Sequence, residues 1–361
     1  MFDSGLDPSK FTVRNNDGFN DWGGRTHDWT FDSDTFRNWF NGLNVAGNSY
    51  NYTVTNSTFD RLGLNGVVFN RYNPTGGGQT NLTFTGNTIS NWGLDPNFSE
   101  GKHGVYSNWT NVTIENNTIH DSTGGSGVSV RFPNVKVIDN LIYNSNTGIS
   151  YYDYAPSSLV GTVEIAYNRI VGTAGGIWID RNAGDTGTVD NHQSFTIVNN
   201  DIRTANTGSG DSSYGTIGVQ YTSGSVNIEN NILSPFAGQT ALRIDNLPGG
   251  GLHEQNDWFD VTSPLWWYRG TSYSTLASYQ AASGQGTGDL YTATSGKIAA
   301  DNTMAPTSTS PGIDHGTTSV NGLSWASTCA TSPFSYCGTA PDIGAVEYSP
   351  PRGRSTRKAS G

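Results

Sequence analysis

Apolar and polar residues alternate over short stretches of this chain, and each stretch ends alike: Asn, any residue, then Ile or another apolar residue. The pattern reads FDSDTF from Phe31, VTNSTF from Val54, FTGNTI from Phe84 and IENNTI from Ile114. It continues as VIDNLI from Val137, IAYNRI from Ile165, IVNNDI from Ile197 and IENNIL from Ile228. With Asp34, Asn56, Asn87, Asn117, Asn140, Asn168, Asn200 and Asn231 as register residues, the spacings are 22, 31, 30, 23, 28, 32 and 31. Period-2 alternation predicts strands, and a loose repeat of this length predicts one solenoid coil per repeat. A second strand signature lies between the first: GVVF at Gly66, GVYS at Gly104, GVSV at Gly127, GISY at Gly148, GIWI at Gly176, TIGV at Thr216 and ALRI at Ala241. Each coil thus holds at least two strands. About eight coils stacked about 4.8 Å apart make an all-β solenoid on the order of 40 Å or more in length. Asn at a repeated turn can form an amide ladder, and alternation points Ile177 and Ile179 inward but Trp178 and Asp180 outward.

Composition agrees with strands joined by many turns: 46 Gly in 361 residues, 14% charged and 12% aromatic. No apolar run is long enough to span a membrane. The start, Met1 to Gly5, lacks the features of a signal peptide and reads as trimmed. Cys329 and Cys337, close together in CATSPFSYC, predict a disulfide and hence a secreted, extracellular protein. The Asn-x-Thr sequences at Asn51, Asn108 and Asn111 read as ladder and strand residues. The repeat decays after Leu233. Residues 1–348 are expected to form one domain, with coils clearest over 31–245 and a C-terminal cap over about 253–348 that includes a short helix near 274–282. Residues 349–361, Pro-rich and basic, are expected to be a disordered tail or linker, not a nucleic-acid site.

The repeated strand-Asn-x-Ile coils from Phe31 to Leu233 resemble those of the secreted right-handed parallel β-helix proteins of bacteria, a group with many polysaccharide lyases and some glycoside hydrolases. SPGID at Ser310 and DIGAVEY at Asp342 resemble the closing segment of such proteins. The resemblance implies a right-handed single-stranded parallel β-helix whose partner is a polysaccharide. One fold carries many reactions, so it does not choose among them.

A filled solenoid leaves only its outer face for chemistry. The second strands end in a stripe of Asn70, Arg71, Asn108, Arg131, Tyr152, Asp153, Asp180, Arg181, Gln220, Tyr221, Arg243 and Asp245, with Lys102, His103, Tyr106 and Trp178 nearby. The chain carries a formal charge of -11 and 19 Lys and Arg, four of them in the tail. Five of the others, Arg71, Lys102, Arg131, Arg181 and Arg243, gather on this stripe, which suits the carboxylates of a uronic-acid chain. Lyase chemistry by β-elimination would use Arg131 and Arg181 to neutralise charge, His103 or Lys102 as base, and Tyr106 or Tyr152 as acid. Substrate would be held by Lys102, Tyr106, Trp178, Arg71 and Arg243, with Trp178 stacking on a sugar ring. Asp153 and Asp180 are also candidate Ca²⁺ ligands. Hydrolysis would instead pair Asp153 with Asp180, or Asp180 with Asp245. A glycan-binding adhesin or phage-type spike is the alternative without catalysis. No histidine spacing supports zinc.

Overall fold

The computed structural model describes residues 2–5, 17–21, 26–70, 80–98, 101–181, 192–247, 251–263, 265–293, 297–329 and 333–348. Arg71 and the tail from 349 lie outside the described residues. Strands form three long sheets: sheets I and II of eleven strands and sheet III of nine, with every pairing within them parallel except a closing hairpin. One turn of the solenoid is Thr110–Glu115 in sheet III, Thr118–His120 in sheet I and Ser126–Val130 in sheet II. The fold is the expected parallel β-helix, with three strands per coil because the strand-Asn-x-Ile pattern is two strands bent at the Asn.

Two adjacent positions make that bend. The first takes a left-handed backbone, as at Asn116 (φ 53°), Asn199 (φ 51°) and Asn230 (φ 59°), a conformation that Asn tolerates. The second turns its amide inward along the axis. Asn87 Nδ2 donates to Asn117 Oδ1 (3.1 Å), Asn117 to Asn140 (2.9 Å), Asn140 to Asn168 (2.9 Å), Asn168 to Asn200 (3.0 Å) and Asn200 to Asn231 (3.0 Å). Asp257 Oδ1 accepts from Asn231 at 3.0 Å, and the Asp257 amide passes the ladder on to Asp289 Oδ1 at 3.0 Å. Asn56 is not a rung: it is the left-handed residue (φ 51°), and Ser57 takes the ladder position, its amide donating to Asn87 Oδ1 at 2.8 Å.

Inside, one apolar column runs through sheet I as Phe36, Phe59, Ile89, Ile119, Ile142, Ile170, Ile202, Leu233 and Phe259, all fully buried. The glycines that open the sheet II strands face it. A Cβ on Gly127 would lie 2.4 Å from Ile142 Cγ2, and one on Gly148 2.5 Å from Ile170 Cγ2. Only Gly admits that approach.

The coils extend beyond the span legible in the repeat. Sheet I begins at Phe2–Asp3 and closes at Leu290–Thr292. Trp266 therefore lies in a coil strand, Leu265–Tyr268, paired with Thr240–Asp245; the hairpin with Thr271–Tyr273 and the helix Leu276–Ser283 follow it. The late coils are hard to read because a polar residue, Glu254, fills an inward position in Leu252–Gln255. The chain then returns along the outside, where Trp325 and Val320 cover Ile138, Ala166, Tyr167 and Val198. The two closing motifs meet there: the Asp314 amide donates to Asp342 Oδ1 at 2.8 Å.

Candidate functional site on the outer face of sheet II

Parallel register places the outward side chains of sheet II in two columns. The first contains Tyr106, Ser129, Ser150, Trp178, Gly218, Arg243 and Trp267. The second runs from Asn70 and Asn108, which follow the paired Phe69 and Ser107, to Arg131, which follows Val130 and so stands beside Tyr152; Tyr152 pairs with Asp180, and Gln220 pairs with Asp245. Arg269 completes it beside Asp245, since Tyr268, the residue before it, lies opposite Ile244. Asn70, Asn108, Arg131, Tyr152, Asp180, Gln220, Arg243 and Asp245 of the expected stripe fall in these columns at the coil spacing, while Asp153, Arg181 and Tyr221 lie one position out of step.

Arg131 is the centre of the site. It is only 7% exposed, and its guanidinium carbon lies 5.4 Å from the Tyr106 ring centre, 4.5 Å from Tyr152 and 5.4 Å from Tyr154. The small Ser129 and Ser150, joined by a 2.9 Å hydrogen bond, occupy the neighbouring outward column. Arg131 Nε and Nη1 are buried without a hydrogen-bond partner. Rings screen the faces of the guanidinium but do not satisfy the N–H groups at its edge. Burial raises the affinity of Tyr152 for its proton, as does its hydrogen bond to Tyr214, while Arg131 opposes both. The phenol stays protonated at neutral pH.

His103 stacks on Tyr106, with ring centres 5.4 Å apart. Burial, and then the charge of Arg131, push its pKa down to about 3. Its Nδ1 accepts from the Ser126 amide at 3.3 Å, which assigns the proton of the neutral ring to Nε2. The ring thus offers a donor rather than the base expected of it. Asp180, by contrast, is raised by burial and restrained by Gln220 Nε2 (2.7 Å to Oδ2), the Arg181 amide (2.7 Å to Oδ1) and the charges of Arg181 and Arg243.

Other expected residues are placed differently. Lys102 is buried away from the stripe, its Nζ donating to Gly93 O at 2.7 Å. Trp178 is only 3% exposed and cannot stack on a sugar, because Tyr214 from the 3-10 turn Gly210–Tyr214 already covers it, with ring centres 4.2 Å apart. Asp153 pairs with Arg181 in register, one position out of step with Asp180, so the two carboxylates leave opposite faces of the strand. Asp153 instead clamps its loop, accepting from Ala155 N (3.0 Å) and Gln193 Nε2 (3.2 Å). The proposed Ca²⁺ pair is therefore not assembled, and no group of three candidate metal ligands occurs among the described residues. Arg243 lies between the Trp178 and Trp267 rings (5.8 and 5.5 Å) and donates to Ser213 O at 3.0 Å. Tyr154 and Tyr214 escaped the sequence reading because both stand in loops, where no alternation marks them.

Two further findings bear on identity. The family model described as "Right handed beta helix region" matches residues 17–191 and, again, 75–242. No curated protein and no solved structure matches the chain.

Proposed function

We propose, for a chain that belongs to the right-handed beta helix family, that it is a secreted polysaccharide lyase cleaving a uronate-containing glycan on the outer face of sheet II. The observation that carries this reading is Arg131, a cation nine-tenths buried among three tyrosines with two nitrogens unsatisfied. A uronate carboxylate supplies the missing acceptors in the planar, two-pronged geometry that a guanidinium prefers. Neutralising that carboxylate stabilises the enolate formed when the adjacent carbon loses its proton. Asp180, its proton affinity raised by burial, takes the proton. The electron pair forms the new carbon–carbon double bond, the bond to the glycosidic oxygen breaks, and Tyr152 protonates the departing oxygen. The disulfide between Cys329 and Cys337 supports export to an oxidising compartment.

One observation favours hydrolysis as the second reading. Asp180 and Asp245 lie in one column with Gln220 between them, two coil spacings or about 10 Å apart along the axis, near the upper separation used by inverting glycosidases. Incubation with a panel of uronate and neutral polysaccharides separates the readings. New ultraviolet absorbance from an unsaturated uronide supports elimination. Reducing ends without it mean hydrolysis, and glycan binding with neither means an adhesin; either result overturns the lyase.

A further inference from the structure

Beyond Asp180, the second outward column continues through Gln220 and Asp245 to Arg269, and a depression of about 620 Å³ opens beside it. Arg181, Tyr221, Asp245, Asn246, Arg269 and Gly270 line it. Its volume falls within the range of ordinary small-ligand sites. We propose that this depression is a second anionic-sugar subsite, which grips a uronate farther along the same glycan chain whose cleaved residue is held by Arg131. The inference rests on the lyase reading above and extends it to the length and charge of the substrate.

Two observations support the assignment. The lining brings together two guanidinium groups against one carboxylate, Asp245, in a chain of formal charge -11, so its local excess of positive charge runs against the balance of the whole molecule. The Arg181 guanidinium lies 3.7 Å from the centre of the Tyr221 ring, which fixes the plane in which it can meet a carboxylate. Tyr221 (φ 53°), Asn246 (φ 46°) and Arg269 (φ 48°) take the left-handed turn that recurs at coil corners, as Arg61 and Tyr167 do elsewhere.

The distance defines the substrate. Arg131 and Arg269 stand in one column, five coil spacings or about 24 Å apart. A pyranose in a glycan is about as long as the coil spacing of about 4.8 Å, so the span between the two arginines takes about six sugars, with acidic ones at its ends. Tyr152 and Asp180 sit near the Arg131 end, so most of the bound chain extends toward Arg269.

The test is calorimetric binding of short oligouronates of about three residues and long ones of about six, beside neutral oligosaccharides of the same lengths. The proteins are the wild type, Arg131→Gln, Arg269→Asn, Tyr221→Asn and Lys136→Gln. Asn is chosen at 269 and 221 because it keeps the left-handed backbone, and Lys136, paired with Glu164 on sheet III, is the control. The wild type is expected to bind the long acidic chain more tightly than the short one. Arg269→Asn and Tyr221→Asn each remove about tenfold of that advantage, and Lys136→Gln removes none. If both pocket variants keep the full advantage, the subsite is overturned, while a loss of short-chain binding in Arg131→Gln leaves the lyase reading standing. If neutral chains gain as much from length and lose as much in Arg269→Asn, the anionic character is overturned. If the wild type binds no oligouronate, both readings fall together.

Discussion

The guanidinium carbon of Arg131 lies 4.5 Å from the centre of the Tyr152 ring, one coil away, and burial of the pair links stability to chemistry. From sequence alone, an outward Arg131 could be replaced at no cost to the fold. In its tyrosine cage it cannot. Arg131→Gln is expected to lower cleavage of a uronate polymer by about 100-fold or more and to destabilise the fold by about 1–2 kcal/mol through lost cation–π contacts. Tyr152→Phe keeps the ring but loses the proton donor, so kcat falls about 100-fold while KM and unfolding change little. Full activity in both variants would remove the site from this face.

The Asn ladder predicts a contrast between two asparagines. Asn140 is fully buried, donating to Asn168 Oδ1, Ile114 O and Ile138 O. Asn140→Ala removes the Oδ1 that accepts from Asn117 N (3.0 Å) and Nδ2 (2.9 Å), besides these donations, and is expected to cost about 3 kcal/mol or more in urea unfolding. Asn81 belongs to an exposed ladder, bonded to Asn51 and Asn111. Asn81→Gly keeps its left-handed backbone and should cost under about 1 kcal/mol. Equal costs would show that the inner ladder adds nothing special.

Gly127 tests the corner between sheets I and II. Its added Cβ would lie 2.4 Å from Ile142 Cγ2 and 3.0 Å from Gly148 O. Gly127→Ala should destabilise by about 1–3 kcal/mol through overpacking. Ile142→Ala removes the first of these clashes, so the double variant should be less destabilised than the sum of the two singles. Strict additivity would place the strain elsewhere.

Stability should fall as pH rises. Burial raises Asp201 to about 8, against the opposing effects of the Ala345 amide and the charges of Arg169 and Arg203, and burial raises Glu347 to about 7. Both groups keep protons in the native state that the unfolded chain releases at about pH 4, so unfolding releases protons between those limits. The stabilisation is complete below about pH 4 and is lost through about pH 7 to 8. Asp201 and Glu347 lie beneath and within the returning C-terminal segment, where Asp201 Oδ1 accepts from Ala345 N at 3.0 Å and Glu347 Oε1 from Asp342 N at 2.9 Å. Thermal midpoints measured across this range should decline, and Asp201→Asn should flatten the decline. A midpoint that rises from pH 5 to 8 refutes the assignment.

The sequence by itself determined the coil, its ladder and its filling. Alternation with a period of two, a bend written as two adjacent polar residues, and glycines opposite isoleucines are local signals, and stacking repeats each of them in register. Even there, Asn56 and Ser57 show the limit, since neighbouring residues share the turn and only the hydrogen bonds tell which is the rung. The outer face was legible as a stripe but not as a site. Trp178 was lost to Tyr214, thirty-six positions on; Lys102 turned away to Gly93; Asp153 left the face that Asp180 occupies. The cage around Arg131 took Tyr154 from a loop. The face of Asp153 follows from strand alternation, but only the tertiary structure decided the others, because loops of unequal length carry no period. Where such a loop lands on the stacked coils is set by packing between residues distant in the chain.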